Sequence, residues 1–307
     1  MKRFLFFFLL FLSLSGFSQN EDSIDNVRLS KMIQLSEVVV RNKLDVQSFI
    51  KRVKNDTTFY KAFRNLRILN FTALNDIRMQ DKKGKIKAML QSKTRQQVSR
   101  GCRSMQTISE TTTGDFYEKD SSYHYYTAEL YASLFFTKEP VCGETNIVSG
   151  LQRNVRSKKG IEKHKEQLKM LFFDPGKKIP GIPLMGDKTA IFDKEHADKY
   201  DFLIDYVDYN GQSCYLFTIK AKGSSGVVID NMTTWFNSNS MNIVARNYEL
   251  SYDAGVYDFS VRMEVQMAQF GELTVPSTLR YSGTWDVALK KRERGLFTAT
   301  LFDFSNQ

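Results

Sequence analysis

The chain has 307 residues, 42% of them hydrophobic and 25% charged, with a formal net charge of +10. That is ordinary globular composition and excludes a fibrous, collagenous or wholly disordered protein. The basic excess is local: residues 51–105 hold fifteen Lys/Arg against three Asp, whereas residues 187–208 hold seven acids against three Lys.

The first eighteen residues read as a secretory signal. Lys2 and Arg3 form a positive n-region, Phe4–Leu14 an apolar h-region, and Gly16-Phe17-Ser18 supplies small residues where signal peptidase reads. Cleavage is expected after Ser18, and the apolar run is short for a membrane span. No Cys follows it, which argues against a lipoprotein, and no later stretch is long and apolar enough for a transmembrane helix. The mature chain is expected to be an exported protein of the Gram-negative periplasm, with the extracellular space as the alternative. In either place nucleic acid is not an expected partner.

Residues 19–34 are polar and acidic and are expected to be flexible. Residues 35–307 are expected to form a single β-rich domain. Its first run, Leu35–Val40 (LSEVVV), reads as a strand. Asn42 or Asp45 then caps a helix in which Val46, Phe49, Ile50 and Val53 make one apolar stripe. Asn55-Asp56 is a break, and Phe59–Leu66 either continues the helix or leads into a strand.

Leu69–Met79 and Ile86–Val98 read as a hairpin around the turn Asp81–Lys85. It carries most of the basic excess, so Lys82, Lys83, Lys85 and Lys87 are the candidate surface for an anionic partner. A solvated face of charged strands is the plainer alternative. Cys102–Ser122 has no clear period and reads as short strand and loop, and Tyr123–Phe136 is ambiguous between helix and strand. Ser157–Phe173 reads as a basic helix stopped by Asp174-Pro175-Gly176, and Pro180, Gly181 and Pro183 mark a loop.

From Tyr200 the pattern is almost all β. Strands are expected at Tyr200–Val207, Ser213–Lys222, Val227–Phe236, Asn242–Tyr252, Val256–Ala268, Leu273–Trp285 and Leu296–Phe304. Short connectors make them an antiparallel meander. In Val256–Met267 six residues of one parity are apolar and five of the other are polar, which gives one dry and one wet face. At roughly 3.3 Å per residue the run spans about 40 Å. Pro276 is the one interruption and predicts an edge or a bulge.

Cys102 and Cys142 sit in loop-like settings and are the better disulfide pair, while Cys214 lies in a strand; three free thiols are the alternative. The histidines His124, His164 and His196 match no metal-ligand spacing, and no GxSxG or Walker pattern is present. Asp193, Glu195, His196 and Asp198 form an acidic cluster without the EF-hand order. No cofactor, metal or catalytic residue is therefore assigned. Arg246 stands out because it shares the apolar parity of Val244, Tyr248, Leu250 and Tyr252, and a charge on a dry face is costly unless paired. It either binds a lid or a ligand headgroup, or it pairs with a buried acid or reaches the sheet rim. Phe259, Val261 and Met263 are the candidate ligand-facing apolar residues.

Residues Ala128–Gly150 (AELYASLFFTKEPVCGETNIVSG), Lys199–Lys222 and Gly226–Phe236 resemble a segment of carboxypeptidase-regulatory-like-domain outer-membrane proteins of unknown function. Leu35–Val40 is similar to the chain end of their regulatory sandwich. The pattern of a strand, a GxVxID-like turn and long strands is also similar to the LolA/LolB half-barrel. The resemblance implies an α+β, mainly antiparallel fold, a curved half-barrel sheet with helices in or over its concave face. It favours strand over helix at Tyr123–Phe136. The expected function is non-catalytic binding, with a lipid or lipoprotein as ligand and an outer-membrane or envelope protein as a further candidate partner. The rival is an envelope structural or interaction protein whose concavity is filled by its own helices, and a hydrolase without a recognisable motif is a distant third.

Overall fold

A computed structural model describes residues 18–41, 43–148, 170–179, 185–253, 255, 257–287 and 291–306. The expected signal segment up to residue 17, most of the expected basic helix and the Pro180–Pro183 loop lie outside the described residues. The fold is α+β and mainly antiparallel: one open, curved sheet of twelve strands with helices against it.

The first described element is a correction. The polar segment expected to be flexible is helix α1 (Ser18–Met32). Its Leu29 is buried, and Arg28 pairs with Asp198. Strand β1 (Ile33–Leu35) then runs parallel to β6 (Tyr200–Tyr209), with Ile33 opposite Phe202. The valine run expected as strand turns helical instead, as α2 (Glu37–Arg41). Only Val39 is buried there, and Val38 and Val40 are exposed.

Helix α3 (Val46–Asn55) is capped by Asp45, whose Oδ1 accepts from Ser48 N at 3.1 Å. It buries the predicted Phe49, Ile50 and Val53. The chain breaks at Asp56 and continues as α4 (Thr58–Asn65), which buries Phe59, Tyr60, Ala62 and Phe63. A 3₁₀ turn (Leu66–Ile68) leads into β2 (Asn70–Gln80) and β3 (Ile86–Ser99), the expected hairpin. β2 also pairs with the last strand, β12 (Glu293–Ser305), so the hairpin extends the C-terminal meander instead of standing alone.

Two readings are overturned next. The polar stretch after Cys102 forms a full strand, β4 (Cys102–Thr113), on the β3 ladder. Most of it is exposed on both faces, so it lacked the alternation that marks a strand. The aromatic stretch is helix α5 (Tyr126–Phe135), not strand. Its N-terminus is capped from far along the chain: Glu293 on β12 accepts from Tyr126 N at 3.0 Å and from Thr127 N at 2.7 Å. A carboxylate there also suits the positive end of the helix. Strand β5 (Val141–Cys142) adds two residues beside β4, and a disulfide joins Cys102 to Cys142 across 40 positions. Closing a loop of that length is worth about 4 kcal/mol in the chain-entropy picture. Cys214 is a buried free thiol.

Residues 170–173 are helical, and a turn Lys194–Ala197 (α6) precedes β6. The remaining strands are β7 (Gln212–Ala221), β8 (Ile229–Asn237), β9 (Ile243–Asp253), β10 (Tyr257–Phe270) and β11 (Leu273–Val287), ending in β12. The sheet order is β1-β6-β7-β8-β9-β10-β11-β12-β2-β3-β4-β5, so the expected meander is consecutive. Pro276 lies in an interior strand, opposite Met267 at a register shift. A bulge spares it from donating to the ladder.

Helices α3, α4, α5 and residues 170–173 occupy one face of the sheet. Phe49 packs edge-on to Phe217 and Phe236, at 5.6 and 5.5 Å between ring centres. Phe63 stacks on Phe173 at 4.2 Å, and Tyr131 meets Tyr281 at 4.4 Å. Gly283 makes room for this layer. The Tyr281 ring lies across it, so that a β-carbon there would sit 1.9 Å from the Tyr281 hydroxyl.

Candidate functional site

The residues singled out from sequence fall into three places. Phe259, Val261 and Met263 are all buried on the inner face of β10. They are covered by the chain itself. Phe259 stacks on Trp285 at 4.9 Å, Trp285 donates to the Tyr281 hydroxyl at 2.7 Å, and Phe172 lies over both Tyr281 and Trp285. The opposite face of β10 carries exposed ion pairs, among them Arg262 with Glu264 at 2.9 Å.

Arg246 is buried on the inner face of β9, 6% exposed. Its Nε donates to Thr234 Oγ1 at 2.9 Å, and its guanidinium lies 4.4 Å from the centre of the Phe59 ring. It therefore bridges the sheet and α4. Asp56 and Asp174 act on it electrostatically, with Lys177 beside them. Lys177 donates to the Val53 and Lys54 carbonyls at the end of α3, where a cation suits the helix dipole. The result is a group of buried charges beneath the α3–α4 junction.

Burial pushes Asp174 up to about 6, opposed by Lys177 and Arg246 and helped by Asp56. The folded value exceeds the ordinary 3.8, so the native chain holds a proton that the unfolded chain has released. This contribution to stability is present in full below 3.8 and is lost as pH rises through about 6. Asp174→Asn should therefore become more stable relative to wild type by about 2 kcal/mol between pH 4 and pH 7, at 1.36 kcal/mol per pH unit of displacement. Urea unfolding across that range checks it; parallel curves for the two proteins would count against a buried titrating Asp174.

Lys82, Lys83, Lys85 and Lys87 lie at the exposed tip of the β2–β3 hairpin. Asp81 organises the turn, its Oδ1 accepting from Lys83 N at 2.9 Å and Lys85 N at 3.0 Å. Lys87 sits 3.6 Å from Asp81. Among the described residues no carboxylate lies within ion-pair distance of the other three. The acidic cluster is dispersed by α6, and among the described residues no three metal-donor side chains converge.

The cleft that does open on the inner face contains none of these residues. It has a volume of about 110 Å³ and lies between α4, the end of α5 and strands β2, β3, β4, β11 and β12. Its walls include Phe63, Phe135, Phe173, Leu279 and Leu301. Its floor is polar and buried: Asn75 donates to Ser92 and Thr94 hydroxyls at 3.3 and 3.2 Å, and Gln96 donates to the Leu66 and Leu69 carbonyls. Its mouth carries Arg64, Arg67, Arg103 and Glu144. Glu144 bridges two of the arginines, with Oε1 2.9 Å from Arg67 and Oε2 on Arg103. Burial holds Arg67 below the usual guanidinium range; Glu144 opposes that shift, and Arg64 and Arg103 reinforce it.

Sequence reasoning missed this mouth. One signal was present: Arg103 follows Cys102 and Glu144 stands two residues after Cys142. Once the cysteines are joined, the two side chains are brought within reach of each other.

No family model and no curated protein matches the chain. Several solved structures are similar to it, three of them as follows. One is a DUF1329 family protein from Desulfovibrio piger, with TM-score 0.26 and 10% identity, covering 82% of this chain and 94% of that one. The second is a putative outer membrane lipoprotein-sorting protein domain from Vibrio parahaemolyticus, with TM-score 0.26, 9% identity and coverage of 80% and 89%. The third is a LolA superfamily protein from Nitrosomonas europaea, with TM-score 0.23, 8% identity and coverage of 82% and 92%. Likeness at TM-scores of this size supports no argument about function.

Proposed function

We propose that the protein is an exported, non-catalytic binding protein of the Gram-negative envelope that carries a lipid or lipidated ligand in its concavity. The observation behind this is the cleft beside α4 and α5, with aromatic and aliphatic walls and an arginine-lined mouth. An apolar body and a charged end are the two halves of an amphiphile. The cleft is smaller than the roughly 150 Å³ cavity that takes up a benzene. It accommodates the tip of an acyl chain, and a longer chain enters only if α4 or α5 shifts outward. The periplasmic location rests on the signal-like start of the sequence. Among the described residues no helix is long and apolar enough to cross a membrane.

One observation favours a second reading, an envelope interaction protein with a filled concavity. Phe259, Val261 and Met263, expected to face a ligand, are instead sealed by Trp285, Tyr281 and Phe172. Mass spectrometry of lipids co-purified from native envelope separates the two, together with uptake of a fluorescent fatty acyl probe. The carrier is expected to yield a lipid and take up the probe. A lipid-free protein that refuses the probe sinks that reading and leaves the filled concavity.

A further inference from the structure

The segment Cys142–Asn146 lies against the arginines of the cleft as a strap, with Glu144 lining the cleft itself. All three mouth arginines contact it, and Arg103 also donates to the Thr137 hydroxyl outside it. Arg64 donates to the Thr145 carbonyl at 3.1 and 2.7 Å, while Arg67 and Arg103 share the Glu144 carboxylate. Asn146 donates to Asn65 Oδ1 at 2.9 Å. The strap contributes little apolar burial: Cys142, Gly143 and Thr145 are exposed, and only Glu144 and Asn146 are partly covered. Such a segment is held by polar contacts and one covalent anchor, the disulfide at Cys142, and belongs to the part of a fold that opens first.

The charge balance at the mouth is incomplete. Three guanidiniums face one carboxylate, and Arg67 is largely buried among them. Guanidiniums stay charged and bind carboxylate and phosphate oxygens through paired donors. The aromatic walls begin directly behind them.

We infer that Arg64, Arg67 and Arg103 form a recognition site for the carboxylate or phosphate head of an amphiphile, which binds in exchange for Glu144. This rests on the carrier reading above and specifies the ligand class and the gate of that same cleft. The acyl part enters between Phe63, Phe135 and Phe173. The anionic head displaces Glu144, and the strap swings out on its disulfide anchor.

The test compares a fluorescent fatty acid with its neutral methyl ester. Wild type is expected to prefer the acid by about ten- to hundredfold, the range of a charge-assisted contact. Glu144→Gln should raise acid affinity several-fold, by more than it raises ester affinity, and increase hydrogen exchange at Gly143–Asn146. Arg103→Gln should sharply cut the preference for acid while the ester still binds; at Arg103 strand β4 lies between β3 and β5, and circular dichroism verifies the folding of the variant. Acid and ester bound alike, with no response to Glu144→Gln, would overturn the headgroup assignment and leave the carrier reading standing. Inorganic phosphate competing as well as the fatty acid would assign the arginines to free anions and overturn the amphiphile. Binding of neither probe by any variant rejects the carrier reading, and the headgroup site falls with it.

Discussion

Phe172→Ala should lower the stability of the protein by about 3–5 kcal/mol, the cost of truncating a fully buried phenylalanine. Phe172 is 2% exposed and lies edge-on to Tyr281 at 6.1 Å and Trp285 at 6.4 Å. Its carbonyl accepts from the buried Tyr248 hydroxyl. Phe172 is therefore the side chain that seals the inner face above Trp285 and Phe259. Its removal leaves a void lined by aromatic rings, which stays dry and suits a small apolar ligand. Uptake of a small apolar probe should rise as stability falls, and guanidinium unfolding with a binding titration measures both. A loss below about 1 kcal/mol with no new binding would show that Phe172 does not fill the concavity.

The second large effect is at Arg246. Arg246→Ala should cost about 3–5 kcal/mol, because it breaks a buried charge arrangement from one side. The Thr234 hydroxyl loses its donor, the Phe59 ring loses the guanidinium against it, and Asp174 loses one of two cations that oppose its protonation. Arg246→Leu should cost less, since an apolar side chain refills the space on Phe59. Unfolding midpoints at unchanged m value give the comparison. Equal losses for Ala and Leu would mean that the charge matters and the packing does not. No loss in either would mean that Arg246 is not a tie between α4 and the sheet.

Much of the fold was readable because burial leaves a period. β10 alternates without a break, so its inner residues Phe259, Val261, Met263 and Val265 were identifiable from parity. Pro276 announced an edge or a bulge because a proline lacks the donor an interior ladder needs, and the structure shows the bulge. Asp45 and the stripe Phe49, Ile50 and Val53 marked α3 because the cap and the apolar face are both local. The failures have the opposite character. β4 exposes both faces for most of its length, so its strand state is imposed by the β3 ladder and leaves no mark in its own sequence. α5 has no local side-chain cap, and its start is fixed by Glu293, 166 residues beyond Thr127.

The candidate site divides along the same line. Arg246 could be named from sequence because a charge with apolar parity is an exception to a local rule. Its partners could not, since Thr234, Phe59 and Asp174 come from three separate elements. The basic hairpin was legible as composition, yet Lys82, Lys83 and Lys85 sit at an exposed tip away from the cleft. The arginines that do line the cleft, Arg64, Arg67 and Arg103, are no more conspicuous in sequence than those lysines.

By itself the sequence determined the apolar faces of α3 and of the long strands, the order of the C-terminal meander and the place of Arg246 on an apolar face. Each of these follows from side-chain spacing within a dozen residues. Only the tertiary structure decided that the concave face is largely filled by the chain's own aromatics, and that the opening lies at the β2–β4 end. It also decided that Glu144 meets Arg67 and Arg103 there. Those outcomes depend on residues far apart in the chain and brought together by the closure of β2 onto β12 and of Cys142 onto Cys102. No local period encodes where two such surfaces meet.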